Sequence, residues 1–185
     1  MRPWRSYIRD NIGVDDTLVV SVGGNDIAMM PSCCTVCSML GLVYCSTEPQ
    51  IRHGDACCLP HFTDMFKTDV QRYIELLVSK TKPKAVVVSM IYFPDEAPTG
   101  SWADCALGCM GYGTCPSKLQ AAITRMFVSA TSQIAIPGTE IIPLALYDVL
   151  DGKTSADYEQ RVEPSVEGSA KIAGHVLAAL AGVAG

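Results

Sequence analysis

Thr17-Leu-Val-Val-Ser-Val-Gly-Gly-Asn-Asp26 is the stretch that decides the fold. Its opening residues are nearly all aliphatic or β-branched, which is typical of a parallel strand covered on both faces. The glycines that follow allow a tight turn and a close approach of the backbone. The stretch therefore predicts a strand over Thr17–Val22 and places Asn25 at its carboxyl end, where open α/β sheets bind their ligands.

The rest of the chain predicts two more strands and four helices, separated by long connections. The strands are Ala85–Tyr92 and Thr139–Leu144. The helices are Trp4–Asn11, His61–Lys80, one from about Ser117, and a last one with Ser165 as its N-cap. Loops are expected over 29–60, 94–116 and 148–161. Strands that alternate with helices predict βαβ units and an α/β fold with a parallel sheet.

Length and composition limit the classes of protein to consider. A chain of 185 residues with 49% hydrophobic residues predicts one globular domain over residues 1–185. The net charge is −5 and the sequence has no basic stripe, which argues against nucleic acid as a partner. No apolar run approaches the roughly 18 residues that span a bilayer. The N-terminus lacks the apolar region of a signal peptide, so an intracellular and possibly organellar location is expected.

A strand that ends in Gly23-Gly-Asn-Asp26, with a Pro164-Ser165 step that opens a C-terminal helix, resembles the SGNH (GDSL-type) esterase and lipase family. The resemblance covers most of the chain in the order of its elements. It implies a flavodoxin-like three-layer sandwich and the chemistry of a carboxylic ester hydrolase, with no cofactor and no metal. It also implies that Asn25 is an oxyanion-hole donor, while Gly23, Gly24 and Asp26 shape the turn.

Two departures from the family pattern bear on catalysis. Glu163 stands where the family has its histidine, and Gln160 stands where it has the aspartate of the same loop. Asp157 lies nearby but at the wrong spacing. No Gly-Asp-Ser nucleophile segment precedes Gly23 in this sequence. A serine hydrolase needs a nucleophile, an oriented base and oxyanion donors, so the site expected here, Asn25 and Glu163, is incomplete.

Two functions follow from these departures. The first is a catalytically degenerate, hydrolase-like chain that serves as an interaction or accessory subunit of a larger assembly. The alternative is an ester hydrolase whose nucleophile lies in a segment before residue 1, because only three strands are visible where flavodoxin-like sheets have about five. That alternative treats the chain as truncated at its N-terminus and gives it a small ester as substrate.

Nine cysteines fall into two clusters and have several possible roles. The simplest interpretation is a set of reduced thiols that pack as small hydrophobic groups. Disulfides, a zinc site and a nucleophilic cysteine paired with His53 or His61 remain alternatives. The cysteines that these alternatives use are Cys34, Cys37, Cys57 and Cys58.

Asp95 and Glu96 form a carboxylate pair directly after the second predicted strand. At the carboxyl edge of the sheet such a pair suits acid–base chemistry. A solvated loop or a capping role is the simpler interpretation.

Overall fold

A three-stranded parallel sheet lies at the centre of the computed structural model, which describes residues 3–24, 27 and 32–183. The strands are β1 (Thr17–Ser21), β2 (Ala85–Met90) and β3 (Glu140–Ala145), side by side in that order. Val19 of β1 lies opposite Val87 of β2, which lies opposite Ile142 of β3. The prediction of an α/β fold with a parallel sheet is confirmed, and each predicted strand is present to within two residues at either end.

Some of the helices lie where the sequence predicts a helix, and others lie where it predicts a loop. The first, α1, is Pro3–Asn11. Leu59–Thr63, Asp64–Asp69 and Val70–Leu77 form α4, a continuous helix whose middle segment has π geometry. The remaining helices are α2 (Cys33–Cys45), α3 (Glu48–His53), α5 (Ala103–Cys109), α6 (Pro116–Ser129) and α7 (Val166–Val183).

Helices cover both faces of the sheet, which gives three layers. On one face, Val20, Val86 and Val88 pack with apolar residues of α1 and α4. On the other face, Val87 and Leu144 pack with one side of α7, namely Ile172, Val176, Ala179 and Leu180. All six residues of β2 are buried because the strand has neighbours on both edges and both faces.

The predicted loop over 29–60 is wrong for most of its length, because α2 and α3 lie there. The cysteines, glycine and prolines of this stretch suggest a loop by composition. Leu42 and Ile51 are nevertheless buried in one core with Phe62 and Phe66 of α4, and this packing stabilises both helices. A local signal was present for α3, since Thr47 and Gln50 form a capping box.

The predicted loops over 94–116 and 148–161 also contain regular structure. The first includes α5, whose Ala103 and Leu107 are buried beside Tyr112. The second contains a 3₁₀ turn and strand β4 (Tyr158–Glu159), which pairs in antiparallel fashion with β5 (Glu163–Pro164). These short elements hold the connections after β2 and β3 against each other.

The predicted N-cap at Ser165 is confirmed. Its Oγ accepts a hydrogen bond from the N–H of Gly168 at 3.1 Å and donates one to the carbonyl oxygen of Ala156 at 2.6 Å. The start of α7 is therefore tied to the loop before β4, so that loop and helix are positioned together.

None of the helices within the described ranges combines the length and the apolar character needed to cross a membrane. This agrees with the absence of a long apolar run in the sequence.

Gly168→Ala is expected to destabilise the protein by about 3 kcal/mol, because a Cβ there would overlap the backbone carbonyl oxygen of Asp157. Gly174→Ala, on the same helix, is the matched control, since its Cβ would meet open space. The control is expected to be stabilising by about 0.5–1 kcal/mol through helix propensity. Urea unfolding measures both, and equal effects at the two sites would contradict the packing of α7 on the 155–157 turn.

Candidate functional site

The carboxyl ends of the three parallel strands lie at one edge of the sheet, and the described residues of the two segments that carry the family resemblance lie there. We call residues 23–26 and 160–165 the signature segments. A Cβ on Gly24 would lie 3.6 Å from Cγ2 of Ile91, so the turn after β1 contacts the end of β2. Tyr92, the next residue, donates its hydroxyl to the carbonyl oxygen of Val162 at 2.7 Å. Gly24 of the first segment and Val162 of the second therefore each lie beside the chain just after β2.

Gly23 is held in a conformation that only glycine adopts easily. Its φ is +98°, and a Cβ on it would lie 2.6 Å from Cε1 of Phe66. The ring of Phe66 belongs to the core between α2, α4 and α6. Asn25 and Asp26 lie outside the described residues, so the oxyanion-donor role of Asn25 stays a prediction.

Glu163 is placed at the same edge but is exposed to solvent. In the described part of the chain its side chain accepts no hydrogen bond. Its charge is near Tyr92: burial, and to a lesser extent Glu163, raises the pKa of Tyr92 to about 12. A carboxylate acts as a strong base towards serine when burial disfavours its charge, and an exposed Glu163 lacks that environment.

Asp157, the other carboxylate near this loop, pairs with a residue of α7 and not with one of the signature segments. It is buried and forms an ion pair of 2.5 Å with Lys171 of α7. Its backbone carbonyl oxygen accepts a hydrogen bond from the N–H of Ser165 at 2.9 Å. Asp157 therefore fastens α7 to the loop, and it does not complete an acid–base pair.

Arg161 lies at the same edge of the sheet, and the sequence analysis did not identify it as a candidate residue. Its side chain is 2% exposed and donates to three acceptors. Nε donates to the carbonyl oxygen of Asp95 at 3.0 Å, Nη1 to Oδ1 of Asp104 at 3.0 Å, and Nη2 to the carbonyl oxygen of Glu96 at 3.2 Å. The guanidinium carbon also lies 5.8 Å from the centre of the Tyr112 ring. One buried cation thus clamps the second signature segment onto the loop after β2.

The clamp changes the ionisation of its carboxylate partner. Desolvation acts to raise the pKa of Asp104, but hydrogen bonds from Arg161 and from the N–H of Gly100 outweigh it and lower the pKa. Asp104 therefore stays charged beside Arg161 at neutral pH. The backbone at Gln160 and Arg161 has φ of +48° and +67°, a region that non-glycine residues rarely occupy. The contacts of Arg161 offset that local strain.

In the structure, Asp95 and Glu96 have two different structural roles. Asp95 is 1% exposed, and its Oδ1 accepts from the hydroxyl of Ser155 at 3.1 Å and from the N–H of Ala97 at 2.9 Å. Its Oδ2 has no hydrogen-bond partner among the described residues. Glu96 accepts from Nε2 of Gln120 at 2.8 Å. The two carboxylates face different partners, so they are not arranged as an acid–base pair.

His61, which one alternative paired with a nucleophilic Cys57 or Cys58, has a hydroxyl partner in the structure. Its Nε2 lies 3.1 Å from Oγ1 of Thr35, which in turn lies 2.9 Å from Oγ of Ser32. Ser32 is the N-cap of α2. Its spacing of three residues to Thr35 is the sequence signal for the contact between Ser32 and Thr35. No group of three or more metal-ligating side chains comes together within the ranges that the structure describes.

Two surface cavities lie away from the described residues of the signature segments. One of about 390 Å³ is lined by residues 134–141, just before and at the start of β3. Another of about 250 Å³ lies between α4 and α6, beside Arg125 and Asp64. Neither has a described lining residue from either signature segment.

Comparisons of this chain with protein-family models, with curated proteins and with solved structures found no match. The resemblance to SGNH hydrolases accordingly stays a prediction that rests on the signature segments and on element order.

Arg161→Ala is expected to lower the free energy of unfolding by about 3 kcal/mol, because it leaves two carbonyl oxygens and the Asp104 carboxylate without their donor. Arg72→Ala, at an exposed position on α4, is the control and should change it by no more than about 0.5 kcal/mol. Chemical denaturation at pH 7 measures both. Similar losses in the two variants would show that the clamp does not stabilise this edge.

Proposed function

We propose that this chain is a catalytically degenerate, SGNH hydrolase-like protein that serves as an interaction subunit and pairs with another polypeptide through β1. The proposal depends on one observation: among the described residues, β1 has a partner strand on only one of its two edges. An unpaired edge presents backbone N–H and C=O groups to any strand that can approach.

Beside its unpaired edge, β1 also has one face that is partly exposed to solvent. Leu18 and Val20 point into the core shared with α1 and α4. Val19 alternates to the α7 side, where its neighbour Val87 is fully buried, yet Val19 itself is 45% exposed. The described contacts of α7 with the sheet are mainly to β2 and β3. The exposed Val19 side chain, between Thr17 and Ser21 on this face, is therefore left for a partner to cover.

The opposite edge of the sheet differs in chemistry. β3 carries Glu140 and Pro143, and charge and proline are the features that protect edge strands from pairing. β1 reads Thr-Leu-Val-Val-Ser and has neither. This contrast favours β1 as the edge that receives a partner strand, with an apolar residue of that strand facing Val19.

The carboxylates at the edge of the sheet that holds residues 160–165 support the proposal that the chain is catalytically degenerate. Glu163 is exposed, Asp157 is bound to Lys171, and Asp95 and Glu96 hold backbone and side-chain donors. In the described part of the chain, the hydroxyl–imidazole hydrogen bond is the one between Thr35 and His61, and neither residue belongs to a signature segment. No described set of groups supplies an activated nucleophile with an oriented base at this edge.

Association is tested with tagged full-length chain recovered from its source cells and sized by light scattering. The wild type is expected in an assembly well above 19.8 kDa. Val19→Lys should weaken the assembly by at least about tenfold, because it removes roughly 1.5–3 kcal/mol of apolar burial and places a charge on the edge. Val14→Lys, at a position that is also exposed but lies outside the strand, is the control and should assemble normally. A monomeric wild type, or an intact Val19→Lys assembly, would refute the proposal.

Degeneracy is tested separately, because the resemblance carried by Gly23-Gly-Asn-Asp26 makes ester hydrolysis the second candidate function. The purified chain is incubated with short p-nitrophenyl esters and with a fluorophosphonate that labels active serines. We expect neither turnover nor labelling. Turnover together with labelling of a serine would favour the hydrolase alternative and would contradict degeneracy, whatever the size of the assembly.

A further inference from the structure

One face of α2 carries thiols on either side of a notch. Cys37, Gly41 and Cys45 follow one another at intervals of four residues, so they lie on the same side of the helix. Gly41 has no side chain, and the helix surface is recessed at that point. The proposed function makes no use of this face.

The thiols of Cys57 and Cys58 occupy the notch. Sγ of Cys58 and Sγ of Cys57 lie 2.8 Å and 3.9 Å from the point where a Cβ on Gly41 would stand. The Cys57 thiol donates to the carbonyl oxygen of Gly41 at 3.2 Å and lies 3.5 Å from Oγ of Ser46. The two sulfur atoms are thus held against one backbone position, which brings them close to each other.

The two thiols differ in access and in backbone conformation. Both are free; Cys57 is exposed, whereas Cys58 is partly covered. Cys58 has a φ of +65°, a left-handed conformation that is unusual for a residue with a side chain. Such strained positions persist where surrounding structure holds them, and they are frequent at functional sites. Here the Gly41 notch holds the Cys58 side chain.

We propose that Cys57 and Cys58 form a dithiol–disulfide exchange site for low-molecular-weight disulfides. The Cys57 thiolate attacks one sulfur of the external disulfide, forms a mixed disulfide and releases one thiolate, which takes up a proton. The Cys58 thiol loses its proton to solvent and attacks the Cys57 sulfur, and the second small thiol leaves. The two cysteine thiols are oxidised to one disulfide, and the external disulfide is reduced to two thiols.

The site suits reversible exchange and not permanent cross-linking. Neighbouring Cα atoms are about 3.8 Å apart, below the roughly 4.4–6.8 Å that disulfides usually bridge. A disulfide between Cys57 and Cys58 is therefore strained and easily reduced. Burial and the neighbouring thiols, Cys57 foremost, raise the pKa of Cys58, which favours its protonated form.

The test treats the reduced full chain with glutathione disulfide, then acid-quenches, alkylates and digests it with trypsin. Cleavage after Arg52 and Lys67 releases a peptide over 53–67 whose cysteines are Cys57 and Cys58. We expect this peptide to lose two hydrogen atoms, to escape alkylation, and to recover on addition of dithiothreitol. A persistent glutathione adduct on the wild-type peptide, or a cross-link to the peptide that carries Cys45, would overturn the proposal.

Two variants define the roles of the thiols. Cys58→Ser should stop the reaction at the mixed disulfide on Cys57, and the glutathione adduct should then persist. Cys105→Ser removes an exposed thiol of α5 and is the control, so oxidation of the 53–67 peptide should be unchanged. Circular dichroism establishes that the variants are folded.

A measurement on the wild type makes the test independent of any variant. Phenylarsine oxide, which bridges two neighbouring thiols, should protect Cys57 and Cys58 together from alkylation and should block their oxidation by glutathione disulfide. Protection of neither thiol, or of one alone, would refute the pairing on which the exchange depends.

Discussion

Complete burial of the central strand is the constraint on which the rest of the structure depends. Every residue of β2, Ala85–Met90, is removed from solvent, because β1 and β3 pair with its edges and helices pack on its faces. Polar groups are excluded from this strand unless they find partners, as Ser89 does through its hydrogen bond to the carbonyl oxygen of Val20. The chain after Met90 is the first part that can carry polar chemistry, and the candidate site lies there.

The loop after β2 is ordered by a second constraint, the burial of a cation. A desolvated guanidinium is costly unless its N–H groups are satisfied, and Arg161 meets that demand through the backbone of Asp95 and Glu96 and the carboxylate of Asp104. The result is a rigid junction between the loop after β2 and the segment before α7. Residues 160–165 are thereby held at the edge of the sheet, although the side chain of Glu163 is exposed.

Local sequence signals predicted the elements whose residues follow a clear hydrophobic pattern or carry a capping residue. The aliphatic runs predicted three strands, the spacing of Phe62, Phe66, Val70 and Ile74 predicted α4, and Ser165 predicted the start of α7. The pattern failed for α2, α3 and α5, where cysteine, glycine and proline are characteristic of loops. Those helices exist because Leu42, Ile51 and Leu107 are buried by contacts from distant parts of the chain. The candidate site divides in the same way: Glu163 and the Gly23–Gly24 turn were found from sequence, whereas Arg161 and the separate roles of Asp95 and Glu96 were not.

The sequence by itself determined the α/β class, the three strands of a parallel sheet and the position of the glycine turn, since these follow from hydrophobic periodicity and from the conformational freedom of glycine. Only the tertiary structure decided which polar groups act together. It paired His61 with Thr35, Asp157 with Lys171, and Arg161 with the loop after β2. It also placed Cys57 and Cys58 in the Gly41 notch. Such partners are set by which surfaces meet when the layers pack, and spacing along the chain carries little information about contacts of that kind.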